Sequence, residues 1–250
     1  MKLAALLATA LLGLVPATAQ AGCKDHAGSG VDWSGCSKKL LMLGSASLEG
    51  AKLDGSNLTS TDLGGANLDG ASLDSADLSY TSLKGASLKG ASMVKTAGNR
   101  TVLVDADLTG AKMQAIELFR ADLSGANLTK ADLSRSSLPR ALFTGANLSG
   151  ASLKKSDVIR SNFDNADLTG INFTYAIVAR ASFRNAKLAG SNWSNAYLYR
   201  SSLVGTDLSG VIGLTTDQVA IACGDSTTKL PAGVEAPNPW PCIKQDESAL

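Results

Sequence analysis

The sequence predicts an all-β solenoid, a chain wound into stacked coils around one narrow core. Three observations carry this. From Leu48 to Leu208 every fifth residue is Leu, Met, Phe, Val or Trp, with Gly98 the single exception. Two positions before each of these, from Ala46 to Thr206, stands Ala, Ser or Thr, except at Ile116 and Ile171. Aromatic residues are only 5% of the chain while Gly, Ala, Ser and Leu dominate, as a narrow, tightly stacked core requires. A period of five fits neither the 3.6 of a helix nor the alternation of a long strand. It is satisfied if each pentad is one short extended side with a turn, both marked residues pointing inward.

Representative units read Ala66-Asn67-Leu68-Asp69-Gly70, Ala121-Asp122-Leu123-Ser124-Gly125 and Ala146-Asn147-Leu148-Ser149-Gly150. They resemble the pentapeptide repeat family, whose unit is Ala-(Asp/Asn)-Leu-x-x, in one unbroken register over about two thirds of the chain. The resemblance implies a right-handed quadrilateral parallel β-helix with four pentads per coil. The fifth residues of the pentads offer an independent check. Gly recurs at Gly50, Gly70, Gly90, Gly110, Gly150, Gly170, Gly190 and Gly210, and again at Gly65, Gly85, Gly125, Gly145 and Gly205. A third series is Arg100, Arg120, Arg140, Arg160, Arg180 and Arg200. A superperiod of twenty is what a four-sided coil predicts.

In chain order, residues 1–21 read as a signal peptide. Lys2 supplies the positive start, Leu3 to Val15 an apolar run too short for a good membrane span, and Ala19-Gln20-Ala21 the small-x-small cleavage site. Gln20 stands where a lipoprotein signal wants Leu. The expectation is a protein cleaved after Ala21 and exported, periplasmic or secreted, and not membrane-spanning. Residues 22–40 form an N-terminal cap, in which Val31-Asp32-Trp33-Ser34-Gly35 already echoes the repeat; Trp33 reads as a lid over the first coil, and Lys38 occupies an apolar slot. An open β-helix end exposes unpaired backbone, so caps are a physical need. Residues 41–210 are the repeat proper, about eight and a half coils and roughly 40 Å long at ~4.8 Å per coil. Its one irregular patch is Val94 to Asp105, with Gly98 in a core slot. A bulge there is one reading, with the count of twenty kept on either side. Residues 211–250 form a C-terminal cap: Thr215 or Thr216 N-caps a short helix, Asp217 to Ala222, followed by a Pro-rich strap carrying Trp240.

Four cysteines lie outside the repeat, Cys23 and Cys36 before it, Cys223 and Cys242 after it. An even number in an oxidising compartment favours disulfides. Of three connectivities, Cys23–Cys36 with Cys223–Cys242 is chosen because each pair belongs to one end. No C-x-x-C spacing is present and His26 is the only histidine, so neither a metal nor another cofactor is expected.

Formal net charge is +1, neither a nucleic-acid binder's basic excess nor an acidic surplus. Locally the rod is polarised: residues 100–200 hold thirteen basic and eight acidic residues, residues 44–99 four and six. The Arg series would stack one charge per coil, with Glu117, Asp122 and Asp157 the sparse acids nearby. Lys95, Arg135 and Lys155 stand on the adjacent corner, and Phe119, Tyr197 and Tyr199 border the ladder. In one reading these arginines lie flat on the corner, hydrogen-bonding turn carbonyls and covering apolar surface with their stems. In the other they are an anion-binding stripe for a phosphorylated envelope glycan or an acidic protein face. The Asp and Asn residues before each central position point outward and solvate the faces, so the Asn-x-Ser/Thr triplets and paired carboxylates follow from the repeat alone. No Ser-His-Asp set forms around His26, and no enzyme is expected. The favoured function is a non-catalytic exported scaffold or binding rod. The resemblance also implies two alternatives: the topoisomerase-protecting branch of the family, which mimics DNA, and a homodimer through a C-terminal helix. A leader peptide and an Arg ladder run against DNA mimicry, and the C-terminal helix here is short.

Overall fold

Each pentad commits most of its backbone hydrogen-bonding groups to its neighbours, and this fixes the coil. The first-position amide donates to the third-position carbonyl of the preceding pentad, as Ala51 does to Leu48 at 3.0 Å. That closes a β-turn whose third residue is the pentad's fifth. This residue has positive φ in every pentad from Gly30 to Gly205, the mark of a type II turn. Three further bonds per pentad join it to the next winding: Leu53 N to Ser72 O at 2.6 Å, Gly55 N to Asp74 O at 2.8 Å, and Ser72 N back to Ala51 O at 2.9 Å. Second-position residues accordingly bridge in parallel to the residue twenty further on, from Asp32 with Lys52 to Asn192 with Ile212.

The result, in a computed structural model that describes residues 22–240, is a right-handed quadrilateral parallel β-helix. Regular winding begins at Val31, so the pentad at 31–35 is a complete side of the first coil. The leader expected at residues 1–21 lies outside the described residues. Among the described residues no helix is long and apolar enough to cross a membrane.

Inside, the third-position side chains and most first-position alanines are fully buried. Ser and Thr replace Ala without leaving a buried hydroxyl stranded in most windings. Thr81 Oγ1 donates to Leu58 O and Ser161 Oγ to Leu138 O, both at 2.7 Å, the carbonyl in each case belonging to the winding below. Later coils fill the same bore with aromatics. Phe143, Phe163 and Phe183 stack face to face at 4.7 and 5.1 Å, one per winding, with Phe173 edge-on to Phe163 at 5.9 Å. The rung spacing of a β-ladder is also the stacking distance of an aromatic ring.

The stretch Val94–Asp105 does not bulge. Ala97 bridges to Glu117 and Val102 to Asp122 in unchanged register. A Cβ at Gly98 would lie 2.5 Å from Leu118 Cδ2 and 2.6 Å from Thr101 Oγ1. Leu118 already takes the space, and glycine is what lets it.

Both ends are plugged. At the start, Cys23 and Cys36 are disulfide-bonded and Trp33 is buried, its Nε1 donating to Asp25 O at 3.2 Å. Lys38 takes its apolar slot with its Nζ over Trp33, 3.8 Å from the ring centroid, and donating to Cys23 O at 2.8 Å. Burial lowers its pKa, and Asp25 opposes the shift. At the far end, α1 (Thr216–Ala220) starts from a capping box between Thr215 and Gln218, one residue earlier than expected and two residues shorter at its end. Gln218 Nε2 caps the carbonyls of Trp193 and Ala196 at 2.9 and 2.8 Å. The chain then rejoins the ladder with Cys223 opposite Ser202 and Lys229 opposite Asp207. Trp240 Nε1 closes onto Ala222 O at 3.2 Å. Cys223 is not a free thiol; Cys242, its expected partner, lies outside the described residues.

Candidate functional site

Most of the outer surface is occupied with holding turns. The second-position Asp and Asn side chains do more than solvate. Their Oδ1 accepts the fourth-position amide of the same pentad, as in Asn67 with Asp69 N at 3.0 Å, Asp77 with Ser79 N at 2.9 Å and Asp132 with Ser134 N at 2.9 Å. These are Asx-turns. Where the second position is Ser, a fourth-position Asp of the previous winding substitutes: Asp69 Oδ1 accepts both Ser87 Oγ at 2.5 Å and Lys89 N at 2.9 Å. In several aspartates partial burial, which raises the pKa, is the largest single influence, yet the net shift is downward. At Asp132 the Ser134 hydroxyl and amide and the Gln114 side chain outweigh it; at Asp107, Thr109 and Lys89 do. Lysines on these faces pair across windings, Lys89 with Asp107 and Lys187 with Asp167 at 3.5 Å, Lys229 with Asp207 at 2.9 Å.

One corner is different. Arg100, Arg120, Arg140, Arg160, Arg180 and Arg200 occupy successive fifth positions, at φ 55° to 60°. Each backbone sits on the next: Arg120 N donates to Pro139 O, Arg140 N to Ile159 O, Arg160 N to Ala179 O and Arg180 N to Tyr199 O, at 2.8 to 3.1 Å. The register of twenty therefore brings all six onto one edge, with Lys95, Arg135 and Lys155 on the corner before it. Among the described residues, none of the six guanidinium groups makes a hydrogen bond or an ion pair. The third- and fourth-position carbonyls of these turns already receive backbone amides, as Leu138 O does from Ala141 and Pro139 O from Arg120. Of the nearby acids, Asp122 and Asp157 are engaged by the amides of Ser124 and Ile159 at 3.0 and 2.9 Å.

Beside the arginines runs a strip that the sequence reading saw only at its two ends. The fourth-position column on this side is Phe119, Pro139, Ile159, Ala179 and Tyr199, and Ile221 of the C-terminal cap continues it by accepting Arg200 N at 2.7 Å. The signal was there at intervals of twenty, in a position that elsewhere is mostly polar. Pro139, Ile159, Ala179 and Tyr199 line a shallow groove of about 370 Å³ with Arg140, Arg160 and Arg180 along its edge. The Arg120 guanidinium lies 5.3 Å from the Phe119 ring and that of Arg200 5.4 Å from Tyr199. Tyr197, stacked on Tyr199 at 6.2 Å, and Ile177 stand exposed in second-position slots, the position that holds an Asx cap at Asp77 and Asp157 of the same column.

Chemically, the corner is a row of fork-shaped cationic donors about 4.8 Å apart with an apolar flank. Adjacent charges repel by about 0.8 kcal/mol even in water, and an anion laid along the row would relieve that. No cluster of three or more His, Cys, Asp or Glu suited to a metal occurs among the described residues.

Comparison with known proteins follows the same lines. The family description "Pentapeptide repeats (8 copies)" matches residues 43–79, 51–90, 81–116 and 101–139, and "Pentapeptide repeat region" matches 136–211. No curated protein matches the sequence. Among solved structures the chain is similar to HetL, a pentapeptide repeat protein involved in heterocyst differentiation regulation from the cyanobacterium Nostoc sp. strain PCC 7120. The identity is 27% over 80% of this chain and 89% of HetL, with a TM-score of 0.56. A pentapeptide repeat protein from the Arabidopsis thaliana thylakoid lumen is similar at 32% identity over 45% of this chain and 77% of that one, with a TM-score of 0.39. QnrB1, a plasmid-mediated fluoroquinolone resistance protein, shares 19% identity over 76% of this chain and 94% of its own, with a TM-score of 0.45. With matches that together span residues 43–211 in the register of the observed windings, the chain belongs to the pentapeptide repeat family.

Proposed function

We propose that this protein is a non-catalytic, exported binding rod whose arginine corner engages an anionic partner of the cell envelope, with the other faces serving as scaffold. The observation that carries the reading is the row of six arginines on one edge whose guanidinium groups, among the described residues, make no hydrogen bond or ion pair. Each sits on left-handed backbone that glycine takes with less strain, so folding alone gives no reason to keep arginine there. Export is supported by the leader-like residues 1–21 and by the Cys23–Cys36 disulfide, which suits an oxidising compartment. A positive edge is also opposite in sign to a surface that imitates DNA.

The test is retention on an immobilised polyanion as a function of salt. The protein should elute with a steep dependence on ionic strength. The triple variant Arg140→Gly, Arg160→Gly, Arg180→Gly, which eases rather than strains the turns, should reduce the log–log salt slope by about two to three. Equal slopes for the two proteins would leave the arginines without a binding role.

A further inference from the structure

The strip beside the arginines narrows the chemistry of the partner. Every winding from Arg120 to Arg200 presents one guanidinium and, next to it, one uncharged fourth-position side chain: Phe119, Pro139, Ile159, Ala179 or Tyr199. Phe119 and Tyr199 are 41% and 38% exposed and lie under their own arginines. Elsewhere on the rod the fourth position is mostly Ser, Thr, Asp or Lys. A ligand that uses both columns must offer anionic groups in step with the windings, at about 4.8 Å or a whole multiple of it, and an apolar flank running parallel to its charges.

We propose that the arginine corner binds a linear uronic-acid polysaccharide, its chain along the rod axis and one sugar per winding. The proposal rests on reading the corner as an anion stripe and specifies what lies in it. Each uronate pyranose carries a single carboxylate, which can accept two parallel hydrogen bonds from the planar fork of an arginine. Each also has a C–H-lined face that packs on aromatic and aliphatic side chains. A pyranose linked through opposite sides of its ring advances by about one rung of the ladder and turns over at each link, so every second sugar, roughly two rungs on, brings its carboxylate back to the arginine edge. Polyphosphate brings charge without an apolar flank. An extended acidic peptide places same-side carboxylates about 6.8 Å apart and loses register with the arginines within a few windings. The groove is open and shallow, which suits a polymer passing along it and not a small molecule enclosed by it.

The experiment measures binding of 1,4-linked oligomannuronates of two to eight residues, of the same oligomers with carboxyls reduced, of polyphosphate and of polyglutamate matched for charge. Affinity should climb roughly tenfold or more from dimer to hexamer as further windings engage, then level off, and the reduced oligomers should not bind. Phe119→Ala with Tyr199→Ala, both at exposed side chains, should weaken oligomannuronate roughly tenfold while altering polyphosphate retention less than about twofold. If polyphosphate or polyglutamate binds as tightly as the uronate at equal charge, and the double variant binds all of them unchanged, the corner reads charge alone: the inference falls and the stripe stands. If the Arg140, Arg160, Arg180 to Gly triple variant binds every polyanion as the parent does, the stripe falls and the inference with it.

Discussion

Two corners of this rod have the same backbone and opposite chemistry. One runs through Gly50, Gly70, Gly90, Gly110, Gly150, Gly170 and Gly190 at φ 62° to 68°, the other through the six arginines at φ 55° to 60°. Both are third residues of the same turn, and both repeat with the winding, Lys130 being the one interruption of the glycine column. On the first corner the sequence follows what the backbone prefers. On the second it holds a branched cation in a conformation that costs an L-residue roughly 1–2 kcal/mol per site, and it stacks like charges as well. The windings close equally well on either side, as the unbroken ladder shows. The arginine corner is therefore a surface that the fold tolerates, and its reason must be sought outside the fold.

Exchanging the two chemistries is the strongest way to break the comparison. Gly150→Arg, Gly170→Arg and Gly190→Arg together should lower the unfolding free energy by about 3 kcal/mol, read from urea midpoints. Space is not the obstacle: nothing lies closer than 3.6 Å to a Cβ at any of the three. A triple variant as stable as the parent would mean that left-handed strain is absorbed by the coil and that the arginine corner carries no penalty to explain. The next largest effect concerns the winding where the arginine series begins. Gly98→Ala should cost about 1–3 kcal/mol, because its Cβ would press on Leu118 within the core. Leu118→Ala in the same chain should recover part of that loss. Smaller and opposite in sign, Arg160→Gly should stabilise the fold by about 1 kcal/mol while weakening polyanion retention. A variant that is more stable yet less retained separates a binding surface from a structural one.

How much of this the sequence disclosed depends on whether a feature repeats with the winding. The Leu48 to Leu208 column, the glycine and arginine series and the aromatic filling at Phe143, Phe163 and Phe183 were all legible, because a period of five and a superperiod of twenty map directly onto side and height. The Cys23–Cys36 pair was legible from position alone. What escaped were contacts between windings at other separations. The relay from Asp69 to Ser87 and Lys89 spans eighteen and twenty residues, and no local pattern marks an Asp as serving the coil above. Lys38 looked like a defect until its Nζ was seen to lie over the Trp33 ring and to donate to the Cys23 carbonyl. Gly98 looked like a break in the core because the residue that fills its place, Leu118, looks like any other leucine of the repeat.

The smallest effect sharpens the comparison from the side of the turn-holding faces. Asp132 and Asp107 hold their turns as carboxylates, and hydrogen bonds from Ser134 and Thr109 keep their pKa values below the ordinary 3.8 in spite of partial burial. A group with a depressed folded-state pKa stabilises fully above its unfolded value, and that stabilisation is lost as pH falls through the folded value. The urea midpoint of the parent should therefore hold steady from neutrality down to the unfolded carboxyl range, then decline below it. Asp132→Asn keeps an Oδ1 acceptor for the Ser134 amide but cannot titrate, so it should be nearly as stable at pH 7 and decline less in acid. If the variant and the parent lose stability in parallel as pH drops, the Asx carboxylate at this position is interchangeable with water. The contrast between faces that hold the fold and a corner that does not would then need a different footing.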